Sequence, residues 1–234
     1  MELNTDLGSF SILLIGFVLG LQHAVEADHL AAVSTIVSER KNLFTASIVG
    51  GLWGVGHTIS LFTVGLLVIF LKLQLTESIQ AKLEGCVGIM LVGLGLNVLR
   101  QLVRADKVHI HTHEHDGRRH SHIHVHENSG TEGSHHRLSP RSVIIGMVHG
   151  LAGSGLLMFF VLQSIPSAAI ALLYILIFGL GSIGGMMAMS FLIGLPFHFT
   201  AGRFDLLNRG IRLMAGIFSL GLGATIVYEK LVIA

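Results

Sequence analysis

Charged residues and cysteines are both scarce in this sequence. Lys, Arg, Asp and Glu make up 12% of the 234 residues, about half the usual share and too few to cover a soluble domain. The one cysteine, Cys86, excludes an internal disulfide framework and any relay that needs paired cysteines. The net charge of +1 gives no basic surface, so we expect no nucleic-acid partner.

Apolar residues, by contrast, form 51% of the chain. They occur in runs long enough to cross the roughly 30 Å of hydrocarbon in a lipid bilayer. Several runs exceed the about 20 residues that a straight span needs, so we expect tilted, kinked or broken helices. The pattern predicts an all-α polytopic membrane protein with six spans, at residues 8–37, 44–71, 83–103, 142–163, 167–199 and 211–232.

The two halves of the chain resemble each other. Three groups of matching residues recur in the same order, at an offset that stays near 130: 15–21 with 145–151, 51–56 with 179–184, and 88–95 with 216–223. Three spans in each half is an odd number, so the halves would insert in opposite orientations, which is the plan of many secondary transporters. The prediction is a 3+3 inverted repeat, divided as 1–104, 105–140 and 141–234.

Basic residues predict the orientation in the membrane. With the N-terminus outside, inside segments hold twelve of the fifteen Lys and Arg residues, as the positive-inside rule requires. We therefore expect the protein to lie in the cell membrane, which in bacteria is the inner, or cytoplasmic, membrane. Both termini would lie outside, and the polar segment between spans three and four would be cytoplasmic.

A polar cluster interrupts the first apolar span. His23, Asp28 and His29 lie near its middle, together with Gln22 and Glu26. One charged group at the centre of a bilayer costs on the order of 3 kcal/mol, and a bound divalent cation would compensate the carboxylates. Imidazole and carboxylate ligands suit Ni²⁺ and Co²⁺, and Zn²⁺ fits them as well. The alternative is that these groups satisfy one another between helices without an ion.

The spacing of this cluster constrains its geometry. Gln22, Glu26 and His29 share one face of a straight helix, whereas His23 and His29 lie roughly 120° apart around its axis. Either the helix is unwound here, or some of these residues orient the ligands, and we assign Gln22 and Glu26 to that role or to the ion pathway. His57 in span two is a further ligand candidate, and the weaker candidates are Asn97 in span three and His149 in span four.

The cytoplasmic segment is rich in histidine. Alternate residues of an extended chain share one face, and His-rich tracts are typical of metal binding. We interpret the segment as a disordered linker that captures, buffers or senses metal through His109, His111, His113, His115, His120, His122, His124 and His126.

The cluster also resembles a known family. His23, Asp28 and His29 match the His-x4-Asp-His signature of the nickel/cobalt transporter family, and Gly56-His57-Thr58 resembles that family's Gly-His-Ser/Thr element. The short chain and six-span repeat look most similar to its urease-accessory permease branch. The resemblance implies that His23, Asp28, His29 and His57 select a transported metal ion, and that cytoplasmic metallochaperones are partners.

The function predicted from these features is a secondary nickel/cobalt permease. No Gly-rich ATP-binding loop is present, so gradients would drive the ion, and we expect no permanent cofactor and no enzyme activity. Uptake is favoured over efflux, although the His-rich loop is similar to that of nickel/cobalt exporters. A membrane-anchored metal sensor is a more distant alternative. A metalloenzyme is also a more distant alternative, because the sequence lacks the His clusters at helical spacing and the His-Glu-x-x-His block that such enzymes need.

Overall fold

The structure of the chain is a computed structural model. It describes residues 2–38, 40, 42–71, 76–105, 109–115, 118–124, 140–152, 165, 167–201 and 203–233; the side chains of 2–9, 105, 109–124 and 152 are outside this description. Helices dominate. They are α1 (Glu2–His23), α2 (Ala27–Val37), α3 (Leu43–Leu71), α4 (Glu77–Ala105), α5 (Pro140–Ala152), α6 (Ala168–Thr200) and α7 (Asp205–Val227), which continues as a π-helix at Tyr228–Ile233.

Four helices in the described part of the chain are long and apolar enough to cross a membrane. They span Leu43–Leu71, Glu77–Arg104, Ala168–Thr200 and Asp205–Ile233. A fifth crossing results if α1 and α2 count as one broken span. The predicted fourth span, 142–163, is described only as far as Ala152, so the six-span count and the division into two repeats stay predictions.

The first predicted span is broken. Phe10–His23 and Ala27–Val37 meet at an angle of 54°, so residues 8–37 do not form one continuous helix. Two backbone hydrogen bonds, each between residues three positions apart, close the turn between them. The amide of Val25 donates to the carbonyl of Gln22, and the amide of Glu26 donates to that of His23. Of the two alternatives left open by the sequence, the structure has the unwound helix.

Two pairs of helices pack in parallel, with glycines at each contact. α1 runs alongside α6, and α5 runs alongside α3. A Cβ atom on any of these glycines would collide with the neighbouring helix, so the backbones approach closely, as is typical of small residues in membrane helices. The contacts, in ascending order along both partners, are Gly16 with Tyr174, Gly20 with Phe178, Gly146 with Trp53, and Gly150 with His57.

Two other pairs pack in antiparallel fashion. Along α3 and α6, Gly50 faces Ser190 whereas Gly65 faces Ile175. Along α4 and α7 the contacts join glycine to glycine: a Cβ on Gly95 would lie 2.7 Å from the carbonyl oxygen of Gly216, and one on Gly223 would lie 2.7 Å from that of Gly88. These are four of the glycines that match between the two halves of the sequence.

The core lies where α2, α3, α4 and α6 meet. Its buried side chains include Val33, Trp53, Leu91 and Met186. The outer surface is strongly apolar, with exposed large side chains such as Phe10, Leu14, Phe70, Phe199 and Met214. Such a surface would aggregate in water and suits hydrocarbon, which agrees with the predicted multi-pass membrane protein.

The His-rich segment contains a β-hairpin. Strands β1 (His109–His115) and β2 (Arg118–His124) pair antiparallel, with His109 opposite His124 and His113 opposite His120. The prediction of a disordered linker is wrong for these two stretches. Alternation of His with other residues has the period of two that favours a strand. His126 lies outside the described residues.

Candidate metal centre

The break between α1 and α2 brings together histidines that a straight helix would hold apart. α1 ends at His23, and α2 begins at Ala27 with Asp28 in its first turn. An acidic residue is favourable there, because it faces the positive end of the helix dipole. Asp28 Oδ1 also accepts a hydrogen bond from the backbone amide of His29 at 2.8 Å. The rings of His23 and His29 consequently lie 4.2 Å apart, centre to centre.

His23, His29 and His57 form the first triad. Each can offer one ring nitrogen so that the three nitrogens lie within 4.8 Å of one another. Nε2 of His23 is 3.0 Å from Nε2 of His57, and the side chains are almost fully buried. α3 supplies His57, whose backbone contacts Gly150 of α5. Three neighbouring nitrogens at this spacing suit one transition-metal ion.

Asp28, His29 and His149 form the second triad. One carboxylate joins two rings: Asp28 Oδ1 is 3.0 Å from Nδ1 of His29, and Oδ2 is 3.0 Å from Nε2 of His149. Ligand atoms from these three residues also lie within 4.8 Å of one another. His149 comes from α5, in the second half of the sequence, and its ring is fully buried. His29 therefore belongs to both triads.

Carboxylates hold the rings of the first triad. Glu26 Oε1 lies 2.9 Å from Nδ1 of His23. If His23 and His29 are neutral, each donates from Nδ1 to its carboxylate, so Nε2 of each ring is unprotonated. In His23 this nitrogen accepts from Nε2 of His57, a contact that a metal ion bound to both rings would replace. This arrangement of carboxylate, imidazole and ion recurs in metalloproteins, where the carboxylate orients the ligand.

Unpaired nitrogen atoms mark the same place. Nε2 of His29, Nδ1 of His57 and Nδ1 of His149 are buried without a hydrogen-bond partner among the described residues. Leaving one buried polar group unsatisfied costs about 1–3 kcal/mol. Aromatic side chains close the surroundings: Trp53 lies 5.2 Å from His29 and 5.3 Å from His149, and Phe178 lies 5.5 Å from His23. A transition-metal ion would bind such buried nitrogen atoms and so remove the cost of leaving them without a partner in mostly apolar surroundings.

The remaining sequence candidates lie at varying distances from the triads. The structure brings His23, Asp28, His29 and His57 together and adds His149, the weaker candidate. Glu26 contacts the first triad, whereas Gln22 is exposed. Asn97 belongs to neither triad; it lines a cavity of about 350 Å³ together with Thr35 and Ile145. Trp53 was not predicted from the sequence, because an aromatic residue in an apolar helix is usually ordinary packing.

Seven of the eight candidate histidines of the His-rich segment, all but His126, lie in the two strands of the hairpin. In the hairpin, His111 lies opposite His122. Their metal binding, like that of the other histidines in this segment, stays a prediction.

Taken together, the helices and the buried triads define a polytopic α-helical membrane protein with a candidate site for a divalent metal. A protein-family model described as the cytochrome c biogenesis protein transmembrane region matches residues 30–224. The chain belongs to this family of membrane proteins.

Curated relatives narrow the comparison. The chain is 37% identical over 219 residues to the urease accessory protein UreH of Bacillus sp. (strain TB-90), covering 94% of this chain and 91% of that protein. It is 24% identical over 217 residues to the chloroplast protein FOR GROWTH AND FERTILITY 2 of Arabidopsis thaliana, covering 92% of this chain and 55% of that protein. No solved structure matches the chain. The likeness to a urease accessory protein agrees with the predicted branch. The matching family model is that of the cytochrome c biogenesis transmembrane region, and membership in the nickel/cobalt transporter family stays a prediction.

Proposed function

We propose that this protein is a secondary permease for Ni²⁺, with Co²⁺ as a second substrate, and that the ion crosses the membrane through the two triads. The observation that carries the proposal is the buried cluster of four histidines and one aspartate, with three ring nitrogens lacking a hydrogen-bond partner among the described residues. Without an ion these groups would be costly in hydrocarbon. His23, Asp28, His29, His57 and His149 are the proposed ligands.

The preference for nickel rests on the comparison with UreH. That relative is named as a urease accessory protein, and urease is a nickel enzyme, so nickel is the metal that we propose for this chain. The ligands themselves fit Ni²⁺, Co²⁺ and Zn²⁺ in similar ways. Metallochaperones in the cytoplasm would receive the ion.

The six-span inverted repeat belongs to the same proposal. Its support is the packing of the helices. If each helix is replaced by its counterpart in the other half, the pair α1 and α6 becomes the pair α5 and α3, and both pairs are packed in parallel. Exchanging the halves also turns the contact of Gly88 with Gly223 into that of Gly216 with Gly95, and both contacts are present. A twofold axis in the membrane plane gives this pattern.

Uptake into the cell is the proposed direction. A doubly charged cation that enters a negative-inside cell gains about 4.6 kcal/mol per 100 mV, which supports accumulation of roughly three orders of magnitude. Efflux would require coupling to another gradient. With both termini outside, the His-rich hairpin lies on the cytoplasmic side, where it would meet ions after transport.

Radioactive nickel flux into proteoliposomes that contain the full chain tests the proposal. Asp28→Asn removes the carboxylate that contacts both histidines of the second triad. We expect nickel flux to fall at least tenfold, because a metal ligand or its orienting partner is lost. Glu84→Gln is the matched control, because Glu84 pairs with Lys230 at 2.7 Å and belongs to neither triad. Equal flux in wild type and Asp28→Asn would contradict the proposal.

A further inference from the structure

The two triads share one histidine, and this overlap has a consequence for how an ion moves. Building on the proposed function, we infer that the transported ion occupies two overlapping positions in turn. One is held by His23, His29 and His57, the other by Asp28, His29 and His149. His29 stays bound while the other ligands are exchanged.

The distances place His29 at the centre. Its ring centre lies 4.2 Å from that of His23 and 4.1 Å from that of His149, whereas His57 and His149 are 6.0 Å apart. The two ring nitrogens of His29 also differ. Nδ1 contacts Asp28 in the second triad, and Nε2 has no hydrogen-bond partner among the described residues. The Nε2 lone pair is therefore the one that can stay on the ion in both positions, while Nδ1 keeps its hydrogen bond to Asp28.

The positions are displaced along the helix axes. Trp53 contacts both rings of the second triad, and it precedes His57 by four residues on α3, about 6 Å along the axis. The second triad therefore lies nearer to the end at which α3 begins. α2 ends on that same side, because only residues 38–42 connect it to α3.

A cavity continues in the same direction. It is lined by Thr35 of α2, Asn97 of α4 and Ile145 of α5, and its volume is about 350 Å³. Ile145 precedes His149 by four residues, again about 6 Å along a helix. The second position thus lies between the first position and this cavity, on the side that the basic residues predict to be cytoplasmic.

The two ligand sets suit different steps. Three imidazoles select borderline metals such as Ni²⁺ against Mg²⁺ and Ca²⁺, which prefer oxygen. The second set adds the carboxylate of Asp28, which in the first position only orients His29. Exchange of one ligand at a time never strips the ion completely, and several modest positions allow release better than one tight site does. Because both positions need His29, they exclude each other, and one ion binds at a time.

Cobalt binding to the purified full-length protein tests this inference. We expect one Co²⁺ per chain. His149→Ala should retain binding through nitrogen ligands, and His57→Ala should retain binding with a carboxylate ligand, each within about tenfold of wild type. X-ray absorption should therefore give two different cobalt spectra. Both variants should nevertheless lose most nickel flux in proteoliposomes, and His29→Ala should lose binding altogether.

Several outcomes would overturn the inference. Two Co²⁺ ions per chain would show independent sites. Identical cobalt spectra from His57→Ala and His149→Ala, or an equal and complete loss of binding in both, would show a single site made of all the ligands. His57→Gln and His149→Gln, which retain polar side chains of similar reach, repeat the comparison if an Ala variant does not fold. Wild-type protein that neither binds cobalt nor carries nickel would instead overturn the proposed function itself.

Discussion

His29 shows most clearly how single residues shape this molecule. Its ring is fully buried and contacts a carboxylate, three other histidines and Trp53. The carboxylate fixes which nitrogen carries the proton, so the opposite nitrogen faces the remaining ligands with a lone pair. An ion at this place would satisfy atoms that the described protein leaves unpaired.

Glu26 should act on the metal only through His23. Its carboxylate accepts from Nδ1 of that ring at 2.9 Å, and 39% of the side chain is exposed. We expect Glu26→Ala to weaken nickel binding about tenfold in calorimetric titrations, because the ring loses its orienting partner. Glu26→Gln should weaken it less, since the amide oxygen still accepts. A larger effect for Gln than for Ala would contradict this role.

Residue identities could be predicted from the sequence better than their partners. His23, Asp28, His29 and His57 stand out because ionisable groups are rare in apolar spans. The contact between Asp28 and His149 joins residues 121 positions apart, and no local pattern reports such a contact. For that reason His149 could be proposed only as a weak candidate, and Trp53 not at all.

At the scale of elements, the closeness of α3 and α5 positions His149. Gly150 allows this closeness, because a Cβ there would collide with the backbone of His57. The same glycine follows His149 directly, so any change in helix separation moves the ring relative to Asp28. The second triad therefore depends on a residue that offers no ligand.

Gly150→Ala should consequently destabilise the protein. The added methyl group must push α5 away from α3, and we expect a cost of about 1–3 kcal/mol from overpacking, seen as a lower Tm in detergent. Nickel affinity should fall as well. Gly93→Ala is the matched control, since a Cβ on Gly93 meets nothing within 4 Å and alanine favours helix. Equal melting temperatures for the two variants would contradict this account.

Helix bounds were predictable where apolar runs are continuous. The predicted spans 44–71 and 167–199 differ by one residue at most from α3 (Leu43–Leu71) and α6 (Ala168–Thr200). α7 begins at Asp205, six residues before the predicted 211, because its first turns are polar and project beyond the apolar run. The break after His23 contains neither proline nor glycine, so its place could not be predicted from breaker residues.

At the scale of the whole molecule, we propose that the two halves have opposite orientations. The antiparallel contact of α4 with α7 and the two parallel pairs agree with it. The twelve basic residues assigned to the inside predict which end of the bundle faces the cytoplasm.

Cysteine labelling tests this orientation. Cys86 is first replaced by Ser, and single cysteines are introduced by Thr76→Cys, Asn42→Cys and Arg203→Cys. A membrane-impermeant maleimide should label Thr76→Cys on intact cells, because that position lies between α3 and α4 on the predicted outside. Asn42→Cys and Arg203→Cys should react only after lysis. The reverse pattern would contradict the predicted topology.

A structure of the nickel-soaked protein, with anomalous diffraction recorded at the nickel absorption edge, tests the central claim most directly. We expect anomalous density within bonding distance of His29, at one or both of the two triads, with a total occupancy of one nickel ion per chain. A peak confined to other parts of the molecule, or no peak at a nickel concentration that saturates transport, would contradict the claim that the buried triads carry the ion.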